Sequence, residues 1–115
     1  FLTTCGLDNV GEVCEIDGIT YPLHGRISNQ PAKHCYWSEN DDDYIIHAII
    51  SQAALFMDKM ELVREIHIGK KNNTIEIKDQ IQNKGDKESA CMFMYHMNMG
   101  ISIIIRTCAA TNKFM

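Results

Sequence analysis

Met60-Glu61-Leu62-Val63-Arg64-Glu65-Ile66-His67-Ile68, a polar stretch Gly69 to Thr74, and Ile75-Glu76-Ile77-Lys78-Asp79-Gln80-Ile81-Gln82-Asn83 together decide the fold. In both runs every second residue favours one side, the period of a pleated strand with one face toward a core. Two such runs around a Gly/Asn-rich turn predict a β-hairpin. Its register follows from the pattern. Ile68 faces Ile75, Ile66 faces Ile77, Arg64 faces Asp79 and Leu62 faces Ile81. The two charges on the inward face thus fall opposite each other, at roughly 5 Å, where they neutralise one another. A structural ion pair under the sheet is the expected role of Arg64 and Asp79.

The same period runs outward along the chain. From Ser89 to Asn98, Cys91, Phe93, Tyr95 and Met97 share one side, and Met92, Met94, His96 and Asn98 share the other. Tyr44 to Ile50 is apolar on both faces around His47, as in a strand buried within a sandwich. Glu12–Ile16 and Ile19–Tyr21 flank Asp17-Gly18, a tight hairpin turn. Gln52 to Met57 reads as a further strand. No repeat, linker or low-complexity segment divides the chain. The expectation is an all-β protein, an antiparallel β-sandwich forming a single partial domain over residues 1–115.

With 115 residues and a formal charge of −4, the chain supports one core and no second domain. Lys and Arg are scattered rather than striped, which excludes a nucleic-acid interface resting on a basic face. The longest apolar runs fall far short of the roughly 20 residues a membrane helix needs. No basic stretch followed by an apolar segment and a cleavage site stands near Phe1, so no signal peptide is expected. A soluble, cytoplasmic protein without membrane contact follows. Glu39-Asn40-Asp41-Asp42-Asp43 lacks calcium-loop spacing and reads as a solvated loop. Five cysteines (Cys5, Cys14, Cys35, Cys91, Cys108) occur without a CxxC pair. They are expected as reduced, mostly buried thiols rather than as disulfides or metal ligands.

The chemistry concentrates in Tyr21-Pro22-Leu23-His24-Gly25-Arg26-Ile27-Ser28-Asn29-Gln30-Pro31-Ala32. An imidazole, a guanidinium and a carboxamide fall within six residues, between two prolines and beside a glycine. Proline removes a donor and extends its predecessor, while glycine allows turns and close approach. The result is a stiff loop presenting polar groups that grip hydroxyls, the makings of a polyol or sugar site. His47 and His67 have no supporting geometry and read as structural. Tyr36 and Trp37 read as aromatics anchoring a loop.

The blocks Thr4-Cys5-Gly6-Leu7-Asp8-Asn9-Val10-Gly11, Tyr21 to Ala32, Glu61 to Ile66, Ile75 to Asp79, Asn83-Lys84-Gly85 and Tyr95-His96-Met97-Asn98-Met99-Gly100 resemble the DUF4432 family. That family is related to aldose 1-epimerases of the galactose-mutarotase-like superfamily. Its members are longer, so the chain resembles an internal slice of the large sandwich. The resemblance implies anomer interconversion, in which a carboxylate takes the anomeric hydroxyl proton and a histidine protonates the ring oxygen. His96 stands nearest the proton-donating histidine. His24 resembles the sugar-binding histidine, and Arg26, Asn29 and Asn98 hold hydroxyls. Neither a metal nor an organic cofactor is implied, and the partner is a small-molecule sugar. The family's basic glutamate has no counterpart here, and after Gly100 the chain departs from the family's aromatic-Pro-Leu-Leu-like continuation. A sandwich cut in mid-sheet exposes strand edges for self-association. The competing expectations are a non-catalytic carbohydrate-binding sandwich or an inactive truncated fragment. A cupin-like metal sandwich needs a His-x-His motif that is missing.

Overall fold

The computed structural model describes residues 2–54 and 58–98. In chain order it contains β1 (Leu2–Leu7), β2 (Cys14–Ile16), β3 (Ile19–Tyr21), a 3-10 turn at Ile27–Asn29, β4 (Ala32–Glu39), β5 (Asp43–Ala53), β6 (Lys59–Gly69), β7 (Ile75–Asn83) and β8 (Met92–Met97). There is no α-helix among the described residues, and every paired strand runs antiparallel. β4-β5-β6-β7 form a four-stranded meander, β1 pairs with β8, and β2 pairs with β3. The all-β, antiparallel expectation holds.

The β6–β7 hairpin adopts the register that alternation dictates, with Ile68 opposite Ile75, Ile66 opposite Ile77, Arg64 opposite Asp79 and Leu62 opposite Ile81. The turn closes through Gly69 N–H donating to Thr74 O and through Thr74 N–H donating to Asn72 Oδ1. Between β2 and β3, Asp17 (φ 52°) and Gly18 (φ 76°) both take left-handed backbone. That is the type I′ geometry whose twist matches the flanking strands. The acidic run makes the β4–β5 turn. Asn40 Oδ1 accepts from Asp42 and Asp43 N–H, while Lys70 and Lys71 reach across to Glu39 and Asp42.

The β1–β8 ribbon lies across the inner face of the large sheet. Leu7, Ile27, Met60 and Leu62 are buried together, and Ile50, Ile81 and Phe93 pack against them. At about 2 kcal/mol for each fully buried leucine, this cluster is the main apolar anchor between the layers. Beyond Arg64 the apolar face continues without the ribbon. Trp37 and Ile75 are 66% and 51% exposed there. Tyr44 is exposed and Ile45 to Ile50 are half-buried, so this strand is not enclosed on both sides as expected. Tyr36 and Trp37 lie on β4, exposed, and anchor no loop. The thiols also differ from expectation: Cys5 is buried, but Cys14, Cys35 and Cys91 are exposed. Cys14 and Cys35 lie on strands whose residues face solvent, which the cysteine spacing could not reveal. Cys108 lies outside the described residues, as does the end of the stretch Gln52 to Met57. Of the described part of that stretch, Gln52 and Ala53 complete β5 and Ala54 lies just past its end.

The ion pair links the two layers. Arg64 Nε and Nη2 donate to Asp79 Oδ1 and Oδ2, each at 2.7 Å, the bidentate geometry that suits a planar guanidinium. Arg64 Nη2 also donates to Thr4 Oγ1 on β1 at 2.7 Å, and Tyr95 Oη on β8 donates to Asp79 Oδ2 at 2.6 Å. The Asp79 side chain is only 5% exposed, so these bonds are made away from water. Burial by itself lowers the Arg64 pKa, but its contacts with Asp79 outweigh this and hold it above its ordinary value. The Tyr95 phenol is pushed above its ordinary 10.0, first by burial and then by donating to Asp79.

The sign of the consequence is fixed. An unfolded tyrosine ionises near pH 10, whereas the folded one resists. Proton release therefore favours the unfolded chain, and stability falls as pH rises from about 10 toward the folded pKa. Tyr95→Phe should lose about 2 kcal/mol at neutral pH and show a flatter stability profile above pH 10. Urea melts across pH 8 to 11 measure both, and equal alkaline slopes in the two proteins would refute this account.

Candidate functional site

The loop following β3 is folded back onto β1 by backbone contacts that only glycine permits. Gly25 has φ 76°, and a Cβ there would run into Gly6 O and Asn9 O. Gly6 N–H donates to His24 O at 3.0 Å, and His24 N–H donates to Gly11 O at 2.9 Å. The buried Asn9 fastens the same loop. Its Nδ2 donates to Glu12 O and Pro22 O, at 2.8 and 2.9 Å, while its Oδ1 accepts from Gly11 N–H. Three of the four hydrogen bonds open to a carboxamide are thus spent on positioning. Sequence reasoning passed over Asn9. Its signal was the Asn-x-Gly spacing in Asn9-Val10-Gly11, an Asx turn.

His24 itself has φ 61°, and its Nδ1 lies 3.1 Å from Val10 O. A carbonyl can only accept, so Nδ1 carries the proton, and a neutral ring keeps its Nε2 lone pair. The His96 ring on β8 stands edge-to-face with the His24 ring, centroids 5.5 Å apart. β8 delivers it there because His96 pairs with Thr3 on β1, the strand that also carries the His24 loop. Two histidines 72 residues apart in sequence (96 − 24) therefore meet. Among the described residues no carboxylate stands within ion-pair distance of either ring.

The other expected site residues go elsewhere. Arg26 turns from the imidazoles to Asp8, with Nη1 3.0 Å from Asp8 Oδ2, and Nη2 donates to Thr20 O at 2.9 Å. Its guanidinium lies over the Tyr21 ring. Arg26, Asp8 and Tyr21 line a cleft of about 330 Å3 that neither histidine lines. Asn29 is exposed on the 3-10 turn, where its N–H donates to Arg26 O. Asn98 is exposed just past β8. The structure therefore unites His24 with His96 and Arg26 with Asp8, and leaves Asn29 and Asn98 at the surface.

On the outer face of the sheet, Ser38 Oγ lies 2.9 Å from His47 Nε2, and His47 Nδ1 lies 3.3 Å from Glu65 Oε1. His67 Nε2 approaches Glu65 Oε2 at 3.2 Å. That hydrogen bond is the largest cause holding Glu65 below the usual carboxylate range. Although this connectivity resembles a nucleophile–base–acid relay, Tyr36 stacks over His47. Ser38, His47 and Glu65 do not border the cleft, so the group reads as a cross-strand polar network.

A family model described as a domain of unknown function (DUF4432) matches residues 1–111. The chain belongs to that family. The match runs past Gly100 and includes most of the tail that the motif blocks left aside. No curated protein and no solved structure matches the chain. No helix among the described residues is long and apolar enough to cross a membrane.

Proposed function

We propose that this protein binds a monosaccharide at the His24–His96 pair and that it belongs to an aldose 1-epimerase-like activity, with His96 as the general acid. The observation that supports this reading most is the 5.5 Å edge-to-face approach of two imidazoles drawn from separate sequence blocks. Opening a pyranose needs a proton delivered to the ring oxygen while a second group holds the sugar. His24 has its ring fixed through Nδ1 and offers Nε2 to a hydroxyl. His96 is exposed on a regular strand, free to exchange protons with a bound sugar.

A second reading, binding without catalysis, is favoured by one specific observation. Among the described residues no carboxylate pairs with either imidazole, and the basic glutamate that the resemblance calls for has no counterpart in this sequence. The two readings separate by saturation-transfer NMR between the α and β anomeric protons of aldoses. An epimerase accelerates exchange, and His96→Ala slows it by about 10²-fold or more, the worth of a positioned acid. Exchange at the protein-free rate, with sugar signals still broadened by the chain, leaves binding alone. Accelerated exchange unchanged by His96→Ala would remove His96 from the mechanism.

A further inference from the structure

The β4–β7 meander has two outer strands, and only one of them is protected. β7 carries Glu76, Lys78 and the inward-pointing Asp79 along its middle. Charges on an edge, lysine above all, and charges aimed inward are how sheets block pairing with another chain. From His34 to Ser38, β4 has no Lys, Arg, Asp, Glu or Pro. Among the described residues it pairs with β5 alone, so one row of its N–H and C=O groups has no strand beside it. Its irregularity is confined to the Ala32/His34 end, which leaves His34 to Glu39 in regular register. At the centre of that stretch Tyr36 and Trp37 are 61% and 66% exposed. Large aromatics left in water on an open strand mark a contact surface.

The residues of β4 define what fits beside it. A two-fold axis perpendicular to the sheet sets a second β4 antiparallel to the first, with like faces aligned. Centred on Tyr36, that axis places Tyr36 opposite the partner's Tyr36, Cys35 opposite the partner's Trp37, His34 opposite the partner's Ser38 and Lys33 opposite the partner's Glu39. Ring meets ring on the outer face, where Tyr36 already stacks on His47. Thiol meets indole on the inner face. At the two ends an ammonium meets a carboxylate, and Lys33, in the bulge, has a flexible stem to reach it. Glu39 is half exposed and meets Lys70 through Oε2, so its other oxygen remains for the incoming lysine. Moving the axis by one residue loses this match. Centred on Trp37 it sets Cys35 against the partner's Glu39, and centred on Cys35 it sets Lys33 against the partner's Trp37. We propose that β4 pairs with β4 of a second copy of this chain about the Tyr36 axis, joining two meanders into one continuous antiparallel sheet. The pairing does not involve His24 or His96.

Sedimentation equilibrium of the 115-residue chain under reducing conditions, from about 1 μM to about 1 mM, tests this. A monomer–dimer equilibrium with Kd below about 100 μM is expected. The emission of Trp37, the single tryptophan, should shift to shorter wavelength along the same curve. Lys33→Glu and Glu39→Lys should each weaken the dimer by about tenfold or more, because each sets like charges opposite one another twice. An equimolar mixture of the two variants should recover the original affinity to within about threefold, since both end contacts are then between opposite charges. A misfolded variant could not complement the other, so the mixture separates a lost interface from a lost fold. A chain that stays monomeric up to about 1 mM overturns the proposal. So does a dimer indifferent to both single variants, or a mixture that associates no more tightly than either variant alone.

Discussion

Arg64→Met should destabilise the fold by about 3–5 kcal/mol, because it removes the cation and leaves the Asp79 carboxylate buried without its counter-charge. The side chains are 15% and 5% exposed, so water cannot replace the guanidinium cheaply. Thr4 and Tyr95 make the effect cross-layer: they bind the pair from β1 and β8, so its loss loosens the ribbon from the sheet. The triple variant Arg64→Met, Asp79→Leu, Tyr95→Phe should recover most of that loss, because it removes the charge, its partner and the phenol together. Urea midpoints of single and triple variants, compared at fixed slope, measure the difference. A triple variant as unstable as the single would show that the pair contributes far more than its desolvation cost. A single variant within about 0.5 kcal/mol of wild type would show that the pair is open to solvent.

Gly25→Ala should cost about 3 kcal/mol. Two effects add: a left-handed φ of 76°, and a Cβ driven into two backbone carbonyls, Gly6 O and Asn9 O. Backbone on both sides cannot swing away like a side-chain tip. Gly18→Ala is the control. Its φ is also 76°, but a Cβ there meets nothing within 4 Å, so only about 1 kcal/mol is expected. The ratio of the two losses in thermal or urea melts isolates the steric part. Gly25→Ala should also displace His24 and Arg26, its immediate neighbours. Near-equal losses at the two glycines would mean that the loop yields and that the close approach of Gly25 to Gly6 does not position the site.

The period-two pattern of Met60–Ile68 and Ile75–Asn83 carried the hairpin, its register and the Arg64–Asp79 pairing, because alternation is a property of each strand and its neighbour. The Asp17-Gly18 turn was equally legible, since left-handed backbone at both positions selects those residue types. The cysteines were not. A thiol's burial depends on what packs over its strand, and nothing described covers β2 or the outer half of β4. Arg26 sat in the right loop, yet its direction was set by Asp8, a residue 18 positions earlier (26 − 8) whose place depends on the folded β1 segment.

The amino-acid order alone thus determined the β2–β3 and β6–β7 hairpins, the alternation of β8 and the inward face of β6 and β7, because these depend on neighbours close along the chain; β1, β4 and the two partners of β5 were not legible in it. Tertiary closure decided the rest. β8 returns to pair with β1, which sets Tyr95 onto Asp79 and the His96 ring against that of His24. Such meetings depend on which distant segments close over the sheet, a choice made by summed packing across the molecule rather than by local alternation.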